Sequence, residues 1–213
     1  MVKNNKSRQA VLDAASRLFH MYGYDGTSVR AIASEAGVNV ALISYYFGGK
    51  KALLEQLMEH FLNGYIGEVE RIINEKRIEQ PPFEALLNLA EHLIKFQVEQ
   101  SSLARFVYRE ISLDSILTRE IMTTYLMKEK YLLESFFKEM IFRNQKDPYS
   151  LDFFIMQFRE MIMLPFAQPQ YIRKVYGMQP TQPAFISLYL KHLGHWAKGF
   201  IDYMPLKKEA LAL

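Results

Sequence analysis

Apolar residues recur along this chain at helical spacing, and no segment sustains the strict alternation of a half-buried strand. Val11, Ala15, Leu18, Phe19 and Tyr22 fall on one stripe that Gly23 ends. Thr27 offers a hydroxyl to a first-turn N–H. Val29, Ile32, Ala33 and Ala36 then share a face up to Gly37, which predicts a second helix about two turns long. Asn39 is the N-cap candidate of a third helix, which runs to Phe47 before Gly48 and Gly49 break it. From Lys50 the set Leu53, Leu54, Leu57, Met58, Phe61, Leu62, Tyr65 and Val69 predicts one long amphipathic helix that stops before Pro81 and Pro82. Further helical patterns cover about 82–100, 102–112, 115–145, 149–164, 169–176 and 183–203, punctuated by Asp147, Pro148, Pro165, Pro169, Gly177, Pro180 and Pro183. The expectation is an all-α fold of about ten helices. Three short, closely spaced helices at 1–50 precede a larger helical domain at 51–213, the two sharing the fourth helix.

Composition agrees with a folded chain: of 213 residues, 50% are hydrophobic and 23% charged, and only 10 are Gly and 8 Pro. The most hydrophobic stretch, 151–167, is broken by Asp152, Arg159 and Glu160, so no membrane span is expected. Residues 1–7 are basic and polar and lead into no uninterrupted apolar run, which sets the expectation of a cytoplasmic, nucleoid-associated protein. The absence of cysteine excludes disulfides, thiol nucleophiles and Cys-containing zinc sites. Charge is uneven: at 1–51, seven basic residues (Lys3, Lys6, Arg8, Arg17, Arg30, Lys50, Lys51) against three acids (Asp13, Asp25, Glu35) leave +4, where the whole chain carries +3. That end is the one to test for nucleic acid, although a segment of this charge is also an ordinary solvated surface.

The second and third helices have the chemistry of a helix-turn-helix. Ala33 is small where the helices cross, Gly37 is free to adopt a left-handed turn, and Val38 and Ile43 fill the corner. A simple αα-hairpin would share these features. The outward face of the third helix separates the two readings: Val40, Ala41, Ser44 and Tyr45 lie opposite Ile43 and Phe47. Short side chains near the start of such a helix allow close approach to base edges; Val and Ala suit thymine methyls, and Ser bonds to several bases. Thr27, Asn39, Tyr45, Lys50 and Lys51 surround this face with donors suited to phosphate.

The run Gly26-Thr27-Ser28-Val29-Arg30-Ala31-Ile32-Ala33-Ser34-Glu35-Ala36-Gly37-Val38-Asn39, with Ile43-Ser44-Tyr45-Tyr46-Phe47 and Lys50, resembles the signature of the TetR family of one-component regulators over about residues 7–60. The resemblance implies a three-helix DNA-binding domain on a larger helical domain, and a homodimer built by the last two long helices. It assigns Thr27, Asn39, Tyr45 and Lys50 to phosphate and Val40, Ala41 and Ser44 to bases. Ser44 stands where many members have Tyr, so a base preference does not transfer. A second resemblance rests on Arg105-Phe106-Val107-Tyr108-Arg109-Glu110, Arg119-Glu120-Ile121-Met122, Tyr125-Leu126-Met127-Lys128-Glu129-Lys130-Tyr131 and Gln168-Pro169-Gln170-Tyr171-Ile172. These segments are similar to the RefZ group of TetR-like proteins in spore-forming Gram-positive bacteria. That similarity implies near-palindromic sites around the replication origin, and an action on the division protein FtsZ that controls division and chromosome positioning during sporulation. The alternative is a repressor that responds to a small-molecule effector.

Arg105, Arg109, Arg119 and Glu120 form a candidate partner patch, with local ion pairing on a solvated face as the other reading. The stretch with Phe153, Phe154, Met156, Phe158, Met161 and Met163 suits either a ligand pocket or core and dimer interface. His192 and His195, three apart without neighbouring carboxylates, do not suggest a metal site, and Gly49-Lys50 lacks the rest of a phosphate loop. With no G-x-S-x-G, H-E-x-x-H or G-x-G-x-x-G, neither an enzyme nor a resident cofactor is expected.

Overall fold

The computed structural model describes residues 2–75, 81–142 and 148–203. Every regular element among them is a helix: α1 (Val2–Tyr22), α2 (Val29–Glu35), α3 (Ala41–Phe47), α4 (Lys50–Glu75), α5 (Pro82–Glu99), α6 (Ser101–Ser112), α7 (Ile116–Met140), α8 (Pro148–Ala167), α9 (Pro169–Tyr176) and α10 (Pro183–Tyr203). The all-α expectation holds. The sequence pattern carries the seventh helix to 145, but α7 ends at Met140, and 143–147, which include Asp147, lie outside the described residues. No helix of the described residues is long and apolar enough to cross a membrane.

The chain forms two compact units. The first joins the residues up to Gly64 with Gln100–Tyr125, and the second joins Tyr65–Glu99 with the residues from Leu126 on. This grouping differs from a division at 50/51 because α6, distant in sequence, packs on α1: Phe106 stacks on Phe19 at 5.3 Å, and both rings are buried. Val11, Ala14 and Ala15 of α1, Ile32 and Ala33 of α2, Ile43 and Phe47 of α3 and Leu53, Leu57 and Met58 of α4 complete that core. Tyr22 does not join the stripe assigned to it. It is exposed at the last position of α1, where Gly23 turns the chain away, and Ala14 is buried on the inner face.

In the second unit Phe154 of α8 is the hub: Phe137, Phe142, Trp196 and Phe200 surround it with ring centroids 4.7–5.5 Å away. The Phe/Met-rich stretch therefore divides, Phe154 and Phe158 inward and Phe153 and Met156 outward. α10 lies close on α5 at Gly194, where a Cβ would come within 3.3 Å of Leu87 Cδ2. Arg159 donates to the buried Glu129 carboxylate at 2.7 Å; burial opposes its charge, but the charge and hydrogen bond of Glu129, with Tyr65 and Glu160, together raise its pKa.

Pro165 does not end α8 as the sequence suggests; the helix continues to Ala167. A proline inside a helix supplies no N–H to the carbonyl four residues back. That carbonyl belongs to Met161, and the Tyr189 hydroxyl of α10 donates to it at 2.7 Å. The next carbonyl, of Ile162, accepts from the Gln97 side chain of α5 at 3.0 Å. Side chains from two neighbouring helices thus satisfy the segment the proline disturbs.

Candidate nucleic-acid interface

The turn between α2 and α3 is built as its residue types require. Gly37 takes φ +64°, Val38 N–H donates to Ala33 O at 3.0 Å, and Ala33 is buried at the crossing. Asn39, just before the Val40 N-cap, accepts from Ala41 N–H at 2.8 Å through its carboxamide oxygen, and is itself exposed. Gly48, at φ +80°, ends α3 with its N–H on Ser44 O. With seven residues α3 is too short to persist alone, so Ile43 and Phe47, both buried, hold it in place.

The opposite face is open. Val40 is 43% exposed and Tyr45 75%, and Ala41 and Ser44 beside them are exposed as well. The Tyr45 ring meets Tyr46 edge-on at 5.2 Å. Lys51 is exposed, with Glu55 3.9 Å from its ammonium. Lys50 is half-buried, its ammonium 4.1 Å from the centre of the Tyr24 ring. Burial, followed by the nearby carboxylates of Asp25, Glu110 and Glu55, raises the Tyr24 pKa, so the ring keeps its hydroxyl proton beside the cation. Tyr24 is a residue the sequence argument missed; its only signal was its place in the turn before Thr27. The brace between α1 and α2 is Arg17, 3.1 Å from Glu35.

Thr27 requires a correction. It is 3% exposed, and its hydroxyl lies 2.7 Å from Gly23 O and 3.1 Å from Leu18 O, so it ties down the end of α1 and neither caps α2 nor faces outward. The cap is Ser28, whose exposed hydroxyl accepts from Ala31 N–H at 3.1 Å. The patch drawn from Arg105, Arg109, Arg119 and Glu120 does not form one face either. Arg109 turns onto α1, donating to Phe19 O at 2.6 Å. Arg119 pairs with Asp114 at 3.3 Å on an exposed stretch, where it and Glu120 face solvent, and Arg105 is half-buried. The His192 and His195 rings are 5.7 Å apart, both exposed, and the described residues hold no group of three or more His, Cys, Asp or Glu arranged for a metal.

Residues 11–57 match the family model described as bacterial regulatory proteins, tetR family. Over 193 residues the chain is 40% identical to the probable HTH-type transcriptional regulator YttP of Bacillus subtilis, which covers 91% of this chain and 93% of that protein. This chain belongs to the TetR family. The family's regulators bind DNA through the helix-turn-helix, which here is α2 and α3. Two solved TetR-like folds extend over most of the chain. FadR of Bacillus subtilis, solved in complex with stearoyl-CoA, superposes with a TM-score of 0.66 at 18% identity, covering 86% of this chain and 96% of its own. AibR, solved with isovaleryl coenzyme A and operator DNA, gives 0.67 at 19% identity, covering 89% and 96%.

Proposed function

We propose that the protein is a homodimeric transcription regulator that reads a near-palindromic double-stranded site with the outer face of α3. The observation that carries this reading is the exposure of Val40, Ala41, Ser44 and Tyr45 on a helix whose other side is locked in the core. Val40 and Ala41 meet thymine methyls and Ser44 bonds to base edges, while Asn39, Tyr45, Lys50 and Lys51 hold the phosphates. Ser28 takes the phosphate role that buried Thr27 leaves vacant. Two such helices enter successive major grooves about 34–36 Å apart. Phe153, Met156 and Leu164 of α8 and Leu188 of α10, all exposed, support these helices as the dimer contact. Selection from a random duplex pool tests the reading. Lys50→Ala is expected to weaken every sequence similarly and lower the salt slope by about 1, and Ser44→Ala to change the base preferred. Equal effects of both variants on every sequence refute it.

The regulatory input is an acyl effector. A cavity of about 490 Å³ is lined by Leu164, Pro165, Ile172, Phe185 and Leu188 with Tyr171, Tyr176, Tyr189 and His192 at its polar points. Its size suits a small ligand. FadR and AibR, of similar fold, carry acyl-CoA ligands. No Lys or Arg lines the cavity, so the acyl chain enters and the phosphates stay outside. The effector acts only in so far as it favours one conformation over the other. Decanoyl-CoA and longer homologues are expected to change operator affinity, and an unchanged affinity across the series removes the effector from the account.

A second reading, carried over from the sequence expectation, gives the output as division control through FtsZ. It is favoured by Met127 and Tyr131, 65% and 72% exposed one turn apart on α7, which a protein partner would cover. Genomic binding sites clustered around the replication origin, with FtsZ retained by the wild-type chain and lost with Tyr131→Glu, would support it. Sites confined to promoters would remove it.

A further inference from the structure

The C-terminal end of α1 is held from two directions. Gly23, at φ +81°, turns the chain out of the helix while its N–H still donates to Phe19 O at 2.9 Å, so a side chain that reaches Phe19 O adds a second donor there. Thr27, one residue before the cap of α2, meets Leu18 O and Gly23 O with its hydroxyl. Arg109 of α6 reaches the carbonyl between them, donating to Phe19 O at 2.6 Å and lying 3.5 Å from His20 O. Its guanidinium sits 5.7 Å from the Phe106 ring centre, and Phe106 stacks on Phe19. Glu110 lies 3.5 Å from the guanidinium, and its own backbone carbonyl is approached by the Thr118 hydroxyl at 3.4 Å. A cation at a helix C-terminus also meets the negative end of the helix dipole. The helix-turn-helix leader and α6 therefore grip the same turn of α1, and Arg109 is the polar link from α6.

We propose that Arg109 is a positioning residue for DNA reading: by clamping the Phe19 and His20 carbonyls it fixes the end of α1, and with it the leader of α2 through Thr27, in the orientation that presents α3. The inference rests on the DNA-binding reading above and adds one residue that positions its helices. Arg109 touches no DNA in this scheme, so its loss leaves the phosphate contacts intact.

The test compares Arg109→Gln, Arg109→Lys and Val107→Ala in the full chain on a duplex selected by the wild type. Val107 is buried on α6 and makes no polar contribution, so its truncation controls for stability alone. Arg109→Gln is expected to weaken the selected duplex about 10-fold, the scale of one charge-assisted hydrogen bond, with an unchanged salt slope. Arg109→Lys recovers part of the loss, since it keeps the charge and one directed donor. Val107→Ala changes affinity less than about 2-fold even where its Tm loss is equal or larger. Amide hydrogen exchange at 19–28 is expected to accelerate in Arg109→Gln and not in Val107→Ala. Affinity of Arg109→Gln within about 2-fold of wild type, or losses that simply follow Tm in all three variants, overturns the proposal. Failure of the wild type to select any duplex sinks the DNA-binding reading instead, and exchange at 19–28 unchanged by Arg109→Gln then overturns the clamp separately.

Discussion

Tyr189→Phe removes one oxygen atom and, if the account of α8 is right, does harm only because of a residue on another helix. The Tyr189 hydroxyl donates to Met161 O at 2.7 Å, and burial raises its pKa to about 12, so it stays a donor across the working pH range. Met161 O lacks its ordinary helical partner because position 165 is proline. Deleting the hydroxyl leaves a part-buried acceptor without that donor, which costs about 1–3 kcal/mol. For a chain of this length that is a Tm loss of roughly 2–10 °C. In a Pro165→Ala background the residue-165 N–H reaches Met161 O, the hydroxyl becomes redundant, and the same Tyr189→Phe change is expected to cost less than about 0.5 kcal/mol. Thermal unfolding of the four proteins, wild type, each single variant and the double, measures the coupling as the non-additive part, expected at about 1–2 kcal/mol. If Tyr189→Phe lowers Tm equally with and without the proline, the hydroxyl stabilises through packing alone and the compensation argument is wrong.

Thr27→Val, which keeps the shape and removes the hydroxyl from Leu18 O and Gly23 O, is expected to destabilise by about 1–3 kcal/mol in denaturant titration, an effect absent if Thr27 serves DNA alone. Glu110 has its pKa raised by burial, against the lowering pull of Arg109. A raised folded-state pKa gives stability that is complete below the unfolded value and lost as pH rises through the folded one, so Glu110→Gln should gain on wild type progressively above the ordinary carboxylate range. A stability difference that stays flat with pH would contradict the assignment. Leu188→Glu is expected to shift the chain from dimer to monomer in sedimentation while helical content is kept, and a persisting dimer would place the interface elsewhere.

What was legible in the sequence is what periodicity and local turn chemistry encode. The spacing of Val29, Ile32 and Ala33 and the glycine at 37 located the helix-turn-helix, and the inward positions of Ile43 and Phe47 implied the outward ones at 40, 41, 44 and 45. The misreadings share one cause, a hydrogen-bond partner on another element or across a turn, which helical spacing does not encode. Thr27 and Ser28 are both good caps by residue type, and the choice was made by the carbonyls of α1 that Thr27 reaches across the turn. Pro165 reads as a stop until Tyr189 and Gln97 are brought beside it by the fold. Arg109, grouped with Arg105 by helical spacing, is claimed by Phe19 O, ninety positions earlier. The Pro165 and Arg109 partners lie 28 to 90 positions away, beyond any local window.

The division of labour on α3 has an evolutionary consequence. Because its anchoring falls on Ile43, Phe47 and the Asn39 side chain that holds the Ala41 N–H, the solvent-facing positions bear almost none of the folding burden. Exchanging the side chains at 40, 41 and 44 should therefore cost little stability. Such a scaffold lets the outer face of the helix change by few steps, each viable, without first rebuilding the domain that holds it.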